Sequence, residues 1–183
     1  MWEGRRVVTI FGSSRPSRGD RAYVQAERLG LAIAGRGWVV CNGGYGGTMT
    51  AVAQGARRAG GETIGVTCAL YGGPPNPYIS HHEEAVDLLA RLARLLQLGD
   101  AYVVLPGGSG TLLELALVME YLHKRLMPPK PVLLFGRYWR PALTIARRER
   151  DGHAMAVQEV RSPEAVVRAL AIAWEEATGR SRP

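Results

Sequence analysis

Lysine, cysteine and long apolar runs are scarce in this chain of 183 residues, and each scarcity narrows the possible functions. The two cysteines, Cys41 and Cys68, make neither a disulfide framework nor a CxxC metal or redox motif. The two lysines, Lys124 and Lys130, lie beyond a predicted helix or just before a predicted strand, which disfavours a Schiff-base enzyme that uses pyridoxal phosphate. The chain has no run of about 18 apolar residues, so the sequence predicts no membrane span. The N-terminus lacks the pattern of a signal peptide. These absences predict a cytoplasmic protein.

Positive charge is abundant but dispersed. The formal net charge is +7, and 21 of the basic residues are arginines. The runs Arg5-Arg6, Arg57-Arg58 and Arg147-Arg148-Glu149-Arg150 are scattered, whereas a nucleic-acid-binding surface needs one basic cluster or interleaved aromatic residues. A general bias toward arginine is the simpler explanation, so we expect no nucleic-acid partner.

Short apolar runs alternate with segments of helical length along the chain. Strands are predicted at Val7–Phe11, Trp38–Cys41, Thr63–Thr67, Ala101–Leu105 and Pro131–Phe135, with a possible further strand at 155–160. Helices are predicted at 20–34, 48–59, 83–98, 110–123, 141–148 and 163–177. Nearly continuous apolar strands indicate a parallel sheet that is covered on both faces. The sequence therefore predicts a single domain over residues 1–183, with an α/β, Rossmann-like, doubly wound parallel sheet.

Two of the strand-to-helix junctions are rich in glycine. Residues 43–47 (Gly-Gly-Tyr-Gly-Gly) precede one helix, and residues 106–111 (Pro-Gly-Gly-Ser-Gly-Thr) precede another. Glycine lets the main chain approach a ligand closely, and the free amides at a helix start favour an anion. Both loops should lie at the carboxyl edge of the sheet, where ligands bind. We therefore predict a phosphate site, and its expected contacts are Ser13, Gly43, Gly44, Gly107, Gly108, Ser109, Gly110 and Thr111.

Glu114 is a candidate catalytic residue with two possible roles. Thr111-x-x-Glu114 matches a capping box, which would satisfy helix-end amides without any chemistry. Alternatively, the carboxylate lies beside the phosphate loop, where the helix dipole would favour its ionised form. It could then act as a base or stabilise positive charge. The residues alone leave both roles open.

Arg91 is the second candidate. Glu84, Asp87, Arg91 and Arg94 follow one another at helical spacing and predict a polar stripe on the helix over 83–98. The stripe is either a solvated face with an Asp87–Arg91 ion pair or the border of a cleft in which an arginine binds the ligand.

Other kinds of chemistry are poorly supported. His81 and His82 are adjacent and would diverge on a strand or a helix, and no carboxylate–histidine spacing supports a metal site. No Gly-x-Ser-x-Gly elbow supports a serine hydrolase. We expect no metal.

The segment from Pro106 to Glu114, Pro-Gly-Gly-Ser-Gly-Thr-Leu-Leu-Glu, resembles the PGGxGTxxE motif of the LOG family of Rossmann-like proteins. The resemblance extends over most of the chain, through residues 11–14, 43–49, 60–66, 100–101 and 130–132. It implies hydrolysis of the N-glycosidic bond of a nucleoside 5′-monophosphate, a cytokinin riboside monophosphate or AMP, to free base and ribose 5-phosphate. It also implies a homodimer, or a multiple of dimers, with no organic cofactor. Glu114 and Arg91 would be catalytic, and the loop over 106–111 would hold the 5′-phosphate.

The chain departs from the family pattern at three places. The family's Arg-Lys pair is Arg91-Leu92 here, its Glu-Glu pair is Leu113-Glu114, and its Gly-Leu-Met is Gly47-Thr48-Met49. Arg94 therefore remains a rival to Arg91. The fold relatives of the family include a molybdenum-cofactor carrier protein, so the alternative function is non-catalytic binding or carriage of a nucleotide-like phosphate ligand.

Overall fold

A computed structural model describes residues 1–148 and 157–179 of the chain. In these ranges, seven strands form one sheet that is flanked by six α-helices. The strands are β1 (Val7–Phe11), β2 (Val39–Asn42), β3 (Thr63–Cys68), β4 (His81–Ala85), β5 (Ala101–Val104), β6 (Val132–Phe135) and β7 (Val157–Val160). The helices are α1 (Arg21–Ala34), α2 (Thr48–Arg58), α3 (Leu88–Leu98), α4 (Ser109–His123), α5 (Arg140–Arg147) and α6 (Pro163–Gly179). A short 3₁₀ turn, Ala69–Tyr71, follows β3.

The sheet is parallel throughout and has the order β4-β3-β2-β1-β5-β6-β7. Thr9 in the central strand β1 is paired with Cys41 of β2 on one side and Tyr102 of β5 on the other. The chain builds the sheet outward in one direction and then returns to β5 to build it in the other. Loops diverge at such a switch point and leave a crevice at the carboxyl ends of the strands. The prediction of a Rossmann-like parallel sheet is confirmed.

Two apolar layers bury the sheet because alternate residues of each strand point to opposite faces. Val8 and Ile10 of β1 pack in the layer that includes residues of α1, α2 and α6. Val7 and Phe11 pack in the layer that includes residues of α3, α4 and α5. The second layer holds α3 and α4, the helices of Arg91 and Glu114, against the sheet. Among the described residues, no helix is both long enough and apolar enough to cross a bilayer.

The predicted helix over 83–98 is wrong in its first part. Residues His81–Ala85 pair with β3 and form the edge strand β4, and α3 begins only at Leu88. Asp87 is the N-cap of α3, where its carboxylate accepts a hydrogen bond of 2.7 Å from the backbone N–H of Ala90. An edge strand tolerates charged residues because one side of it faces solvent, so the polar sequence was mistaken for a helix surface. The predicted stripe from Glu84 to Arg94 is therefore not one helix face.

Two sequence features fall partly on residues that are not described. The predicted strand at 155–160 is present as β7 from Val157, while Met155 and Ala156 lie outside the described residues. Glu149 and Arg150 of the basic run also lie outside them.

Candidate active site

A cleft of about 1090 Å³ opens at the carboxyl edge of the sheet, at the switch point between β1 and β5. Its walls come from the loops that follow β1, β2, β3, β5 and β6 and from the first turns of α3 and α4. Of the predicted site residues, the cleft brings together Ser13, Arg91, Gly107, Gly108, Ser109, Gly110, Thr111 and Glu114. Gly43 and Gly44 do not line it.

The loop over 106–111 presents open main chain to the cleft. Helix α4 begins at Ser109, with Gly108 as an N-cap that provides no side-chain hydrogen bond. The first amides of a helix have no acceptor within the helix, so those of α4 are available to an anion. A methyl group added at Gly108 or Gly110 would meet no atom within 4 Å. This geometry suits a phosphate group.

The loop that follows β6 makes two hydrogen bonds to the main chain at residues 105–107. The Tyr138 hydroxyl donates a hydrogen bond of 2.9 Å to the carbonyl oxygen of Gly107. The buried Trp139 indole donates one of 3.0 Å to the carbonyl oxygen of Leu105. These two carbonyls are therefore bonded to protein donors, and the loop that follows β6 anchors the main chain at Leu105 and Gly107.

The capping-box role of Thr111 and Glu114 is wrong. Because α4 begins at Ser109, Thr111 is its third residue and Glu114 its sixth. A capping box would need Thr111 itself at the N-cap. Both side chains are instead buried and line the cleft.

Arg91 and Glu114 face each other inside the cleft. Arg91 Nη1 lies 3.6 Å from Glu114 Oε1, and the two side chains are 8% and 11% exposed. The Arg91 guanidinium also donates to main-chain carbonyls, from Nε to Val66 at 2.8 Å and from Nη2 to Gly43 at 3.3 Å. The strand ends of β2 and β3 thus fix the guanidinium, and one of its nitrogens remains directed at the carboxyl group.

Burial sets the charge of Glu114. Removal from water raises the pKa of its carboxyl group to about 7, although the positive charge of Arg91 opposes the rise. The expectation that the helix dipole keeps this group simply ionised is wrong, because burial outweighs a dipole effect that fades after the first turn. Near neutral pH the carboxyl is divided between its two forms, so it can exchange a proton.

Gly43 and Gly44 leave space for side chains that lie next to them, including that of Arg91. A methyl group at Gly43 would overlap the Arg91 guanidinium and come within 2.9 Å of Met49 Sδ. Gly44 has a φ of 77°, and a methyl there would lie 2.9 Å from Thr67 Cγ2. The glycines at these two positions therefore make room for protein atoms.

The rival candidates lie elsewhere. Arg94 donates to Glu83 from Nε at 2.6 Å and from Nη2 at 2.8 Å, and it does not line the cleft. The proposed Asp87–Arg91 ion pair is replaced by the pair of Arg91 with Glu114. The Lys130 ammonium donates to the carbonyl of Gly99 at 2.6 Å, outside the cleft.

The adjacent histidines diverge as predicted. His81 Nε2 lies 2.9 Å from Glu62 Oε2, and His82 Nε2 lies 2.7 Å from the Thr67 hydroxyl oxygen. Over residues 1–148 and 157–179, no group of three or more His, Cys, Asp or Glu side chains could hold a metal ion.

Three tyrosines in the cleft were not predicted from the sequence. Tyr45, Tyr71 and Tyr138 lie on the loops that follow β2, β3 and β6. Tyr45 stands between two glycine pairs, and Tyr138 follows a predicted strand closely, so the rule that ligands bind at strand ends could have identified both. Tyr71, four residues after the predicted strand Thr63–Thr67, carried the same signal as Tyr138.

A family model described as the SLOG cluster4 family matches residues 5–167. A cytokinin riboside 5′-monophosphate phosphoribohydrolase of Rhodococcoides fascians is 34% identical over 76% of this chain and 73% of its own. The protein of the same name from Mycobacterium tuberculosis is 35% identical over 61% of each chain. The solved structure titled TM1055 has a TM-score of 0.75 at 25% identity, covering 91% of this chain and 99% of its own. The molybdenum cofactor carrier protein of Chlamydomonas reinhardtii has a TM-score of 0.74 at 24% identity, covering 92% and 97%.

Proposed function

Because the chain belongs to the SLOG cluster4 family of LOG-like proteins, we propose that it hydrolyses the N-glycosidic bond of a nucleoside 5′-monophosphate, a cytokinin riboside monophosphate or AMP. The products are the free base and ribose 5-phosphate. Relatives at 34% and 35% identity carry the name of this activity. The observation that carries the proposal is the buried Arg91–Glu114 pair beside the open amides of α4.

The 5′-phosphate of the nucleotide binds first, at the start of α4. The amides of Ser109, Gly110 and Thr111 point into the cleft at the positive end of the α4 dipole and hold the 5′-phosphate. Ser13, at the end of β1, lines the cleft from the neighbouring strand. A phosphate bound there brings the ribose toward Glu114, which lies one turn further along the same helix.

Glu114 then acts on the ribose carbon C1′. Its carboxylate stabilises the positive charge that develops on the ribose as the bond to the base breaks, or it accepts a proton from the attacking water. The bonding electrons leave with the base, the water oxygen bonds to C1′, and the base nitrogen takes up a proton. A carboxyl group with a pKa of about 7 can accept and return a proton at neutral pH.

Arg91 orients Glu114 and balances negative charge. Its guanidinium is fixed by the carbonyls of Gly43 and Val66, so it cannot follow Glu114 if that side chain moves. It lies where it can offset the charge that develops on the departing base. Leu92 and Leu113, which stand where the family pattern has lysine and glutamate, also line the cleft and make it more apolar.

We further propose a homodimer that works in the cytoplasm. Four apolar side chains just before α3 or in the first turns of α3 and α4 are exposed in the single chain: Val86, Leu89, Leu112 and Leu113. Such a patch beside a cleft is typical of an interface. Both cysteines are free and buried, in keeping with a reducing compartment.

The test is base release from AMP and from isopentenyladenosine monophosphate by the purified protein. We expect release by the wild type and a loss of about 10³-fold in Glu114→Gln, which keeps the shape but cannot take up a proton or carry charge. Asp87→Asn, in the N-cap of α3 and outside the cleft, is the matched carboxyl-to-amide control and should retain activity.

The second candidate is a carrier that binds a nucleotide-like phosphate without turnover. The cleft, at about 1090 Å³, reaches the upper end of the usual size of small-molecule pockets and could hold a larger ligand than AMP. Structural relatives include one protein titled a molybdenum cofactor binding protein and one titled a molybdenum cofactor carrier protein. Tight binding of AMP by the wild type with no base released would support the carrier and overturn the hydrolase.

A further inference from the structure

The end of the cleft farthest from the phosphate loop carries two aromatic side chains. Tyr45 follows β2, and Tyr71 ends the 3₁₀ turn after β3. In the sheet order, β3 is three strands from β5, so the carboxyl ends of these two strands lie about 14 Å apart along the edge at ordinary strand spacing. Arg91 and Glu114 lie between the two ends, so a nucleotide with its phosphate on α4 directs its base toward the tyrosines.

Tyr45 is held rigidly. Its hydroxyl accepts a hydrogen bond of 2.8 Å from the backbone N–H of Cys68 and donates one of 3.2 Å to the carbonyl of the same residue. The guanidinium carbon of Arg91 lies 5.6 Å from the centre of its ring, a cation–π contact. The Tyr45 side chain is therefore held in place at both its hydroxyl and its ring, and its ring contacts the proposed catalytic arginine, Arg91.

Tyr71 is free to adjust. It is 55% exposed, and its ring centre lies 6.1 Å from that of Tyr45 at a tilt of 46°. Gly72 and Gly73 follow it with φ values of 66° and 82°, and a methyl at either would meet nothing within 4 Å. Among the residues that the structure describes, no hydrogen bond restrains the Tyr71 hydroxyl. This ring can move over a base that lies against Tyr45.

Hydrogen bonds to the edges of bases come most often from arginine, amide and carboxylate side chains. Of these groups, the described residues that line the cleft supply Arg15, Arg91 and Glu114, and no Asn, Gln or Asp. Its one carboxyl group, Glu114, is assigned to the ribose. Stacking on aromatic rings, in contrast, accepts any base because every base has a π face.

We infer that Tyr45 and Tyr71 form the base subsite and hold the base between their rings, so that binding strength follows the stacking area of the base. The inference rests on the proposed function for the orientation of the nucleotide. It predicts that pyrimidine nucleotides bind less well than AMP, because they offer a smaller stacking area.

The test separates the base from the rest of the ligand. In Tyr71→Ala, we expect binding of AMP, measured by calorimetry, to weaken about 10- to 100-fold, the range expected for loss of one stacking partner. Binding of ribose 5-phosphate should not change. Tyr71→Trp should bind AMP at least as well as the wild type. Leu70→Ala, on the same turn but outside the cleft, is the matched control and should behave as the wild type.

Two results would overturn the inference: an equal loss for AMP and ribose 5-phosphate in Tyr71→Ala, or equal affinity of the wild type for AMP and UMP. Because calorimetry measures binding, it gives an answer even if no base is released, in which case the proposed hydrolysis fails while the stacking subsite stands. If hydrolysis occurs and Tyr71→Ala leaves KM for AMP unchanged, the subsite fails while the enzyme stands.

Discussion

The glycine-rich loop after β2 and the one after β5 both join a strand to a helix, and they contain four and three glycines. In the first, methyl groups at Gly43, Gly44 and Gly47 would all collide with protein atoms. In the second, a methyl at Gly107 would also collide, with the Thr111 side chain, but Gly108 and Gly110 have open space around them. Glycine thus serves two purposes at one sheet edge: it makes room for other protein atoms in the first loop, and at Gly108 and Gly110 it leaves main chain free for a ligand. The first loop builds the site, and the second borders it.

Among changes in the two glycine-rich loops, the largest effect should come from a methyl group in the loop after β2. Gly43→Ala places that methyl against the Arg91 guanidinium and displaces it from the Gly43 carbonyl and from Glu114. We expect kcat/KM for AMP to fall about 100-fold, as for other losses of a positioned charged group. The fold should survive, because the clashing atoms belong to the ends of flexible side chains.

Gly46→Ala is the control for that experiment. A methyl at Gly46 would be at an ordinary contact distance, 3.5 Å from the carbonyl oxygen of Ser14. It should leave kcat/KM unchanged. Equal losses in the two variants would show that the loop is sensitive as a whole and that Arg91 has no special dependence on Gly43.

A smaller effect is expected in the loop that borders the ligand. Gly108→Ala adds a methyl in open space at the N-cap of α4, so the melting temperature should fall only by the small amount that alanine costs relative to glycine at an N-cap. Binding of ribose 5-phosphate should weaken about tenfold, because the methyl hinders approach of the phosphate and costs about one charge-assisted hydrogen bond. Calorimetry with Gly46→Ala as the matched variant measures this. A large loss of stability with normal affinity would contradict the assignment.

The smallest effect is a shift along the pH axis. If the carboxylate form of Glu114 is the active one, kcat/KM should rise with pH through a pKa of about 7, because protonation below that value removes the charge. In Gly43→Ala, the displaced Arg91 lowers the pKa of Glu114 less effectively. The rise of kcat/KM should therefore move to higher pH. A profile that instead rises near the ordinary glutamate value of about 4.3 would contradict the raised pKa of Glu114.

The sequence predicted the sheet well where strands are buried and poorly at its edge. Uninterrupted apolar runs such as Val7–Phe11 identify strands covered on both faces. The edge strand β4, with the sequence His-His-Glu-Glu-Ala, has no such run and was mistaken for the start of a helix. Strand β4 forms because it pairs with β3, which is distant in sequence. A pattern of neighbouring residues does not indicate that pairing.

Within the site, residue types were easier to predict than their surroundings. Glu114 and Arg91 were selected from the sequence, and the fold brings them to 3.6 Å. The burial that raises the pKa of Glu114 depends on where α4 begins, and glycine at the N-cap gave little indication of the boundary. The neighbours of Gly43 and the pairing of Tyr45 with Tyr71 depend on contacts between separate loops.

A crystal structure with AMP or ribose 5-phosphate bound would show where the phosphate is held. We expect the phosphate to lie on the amides of Ser109, Gly110 and Thr111, with the ribose carbon C1′ beside Glu114. A phosphate bound at the loop over 43–47, with the first turn of α4 empty, would contradict this expectation.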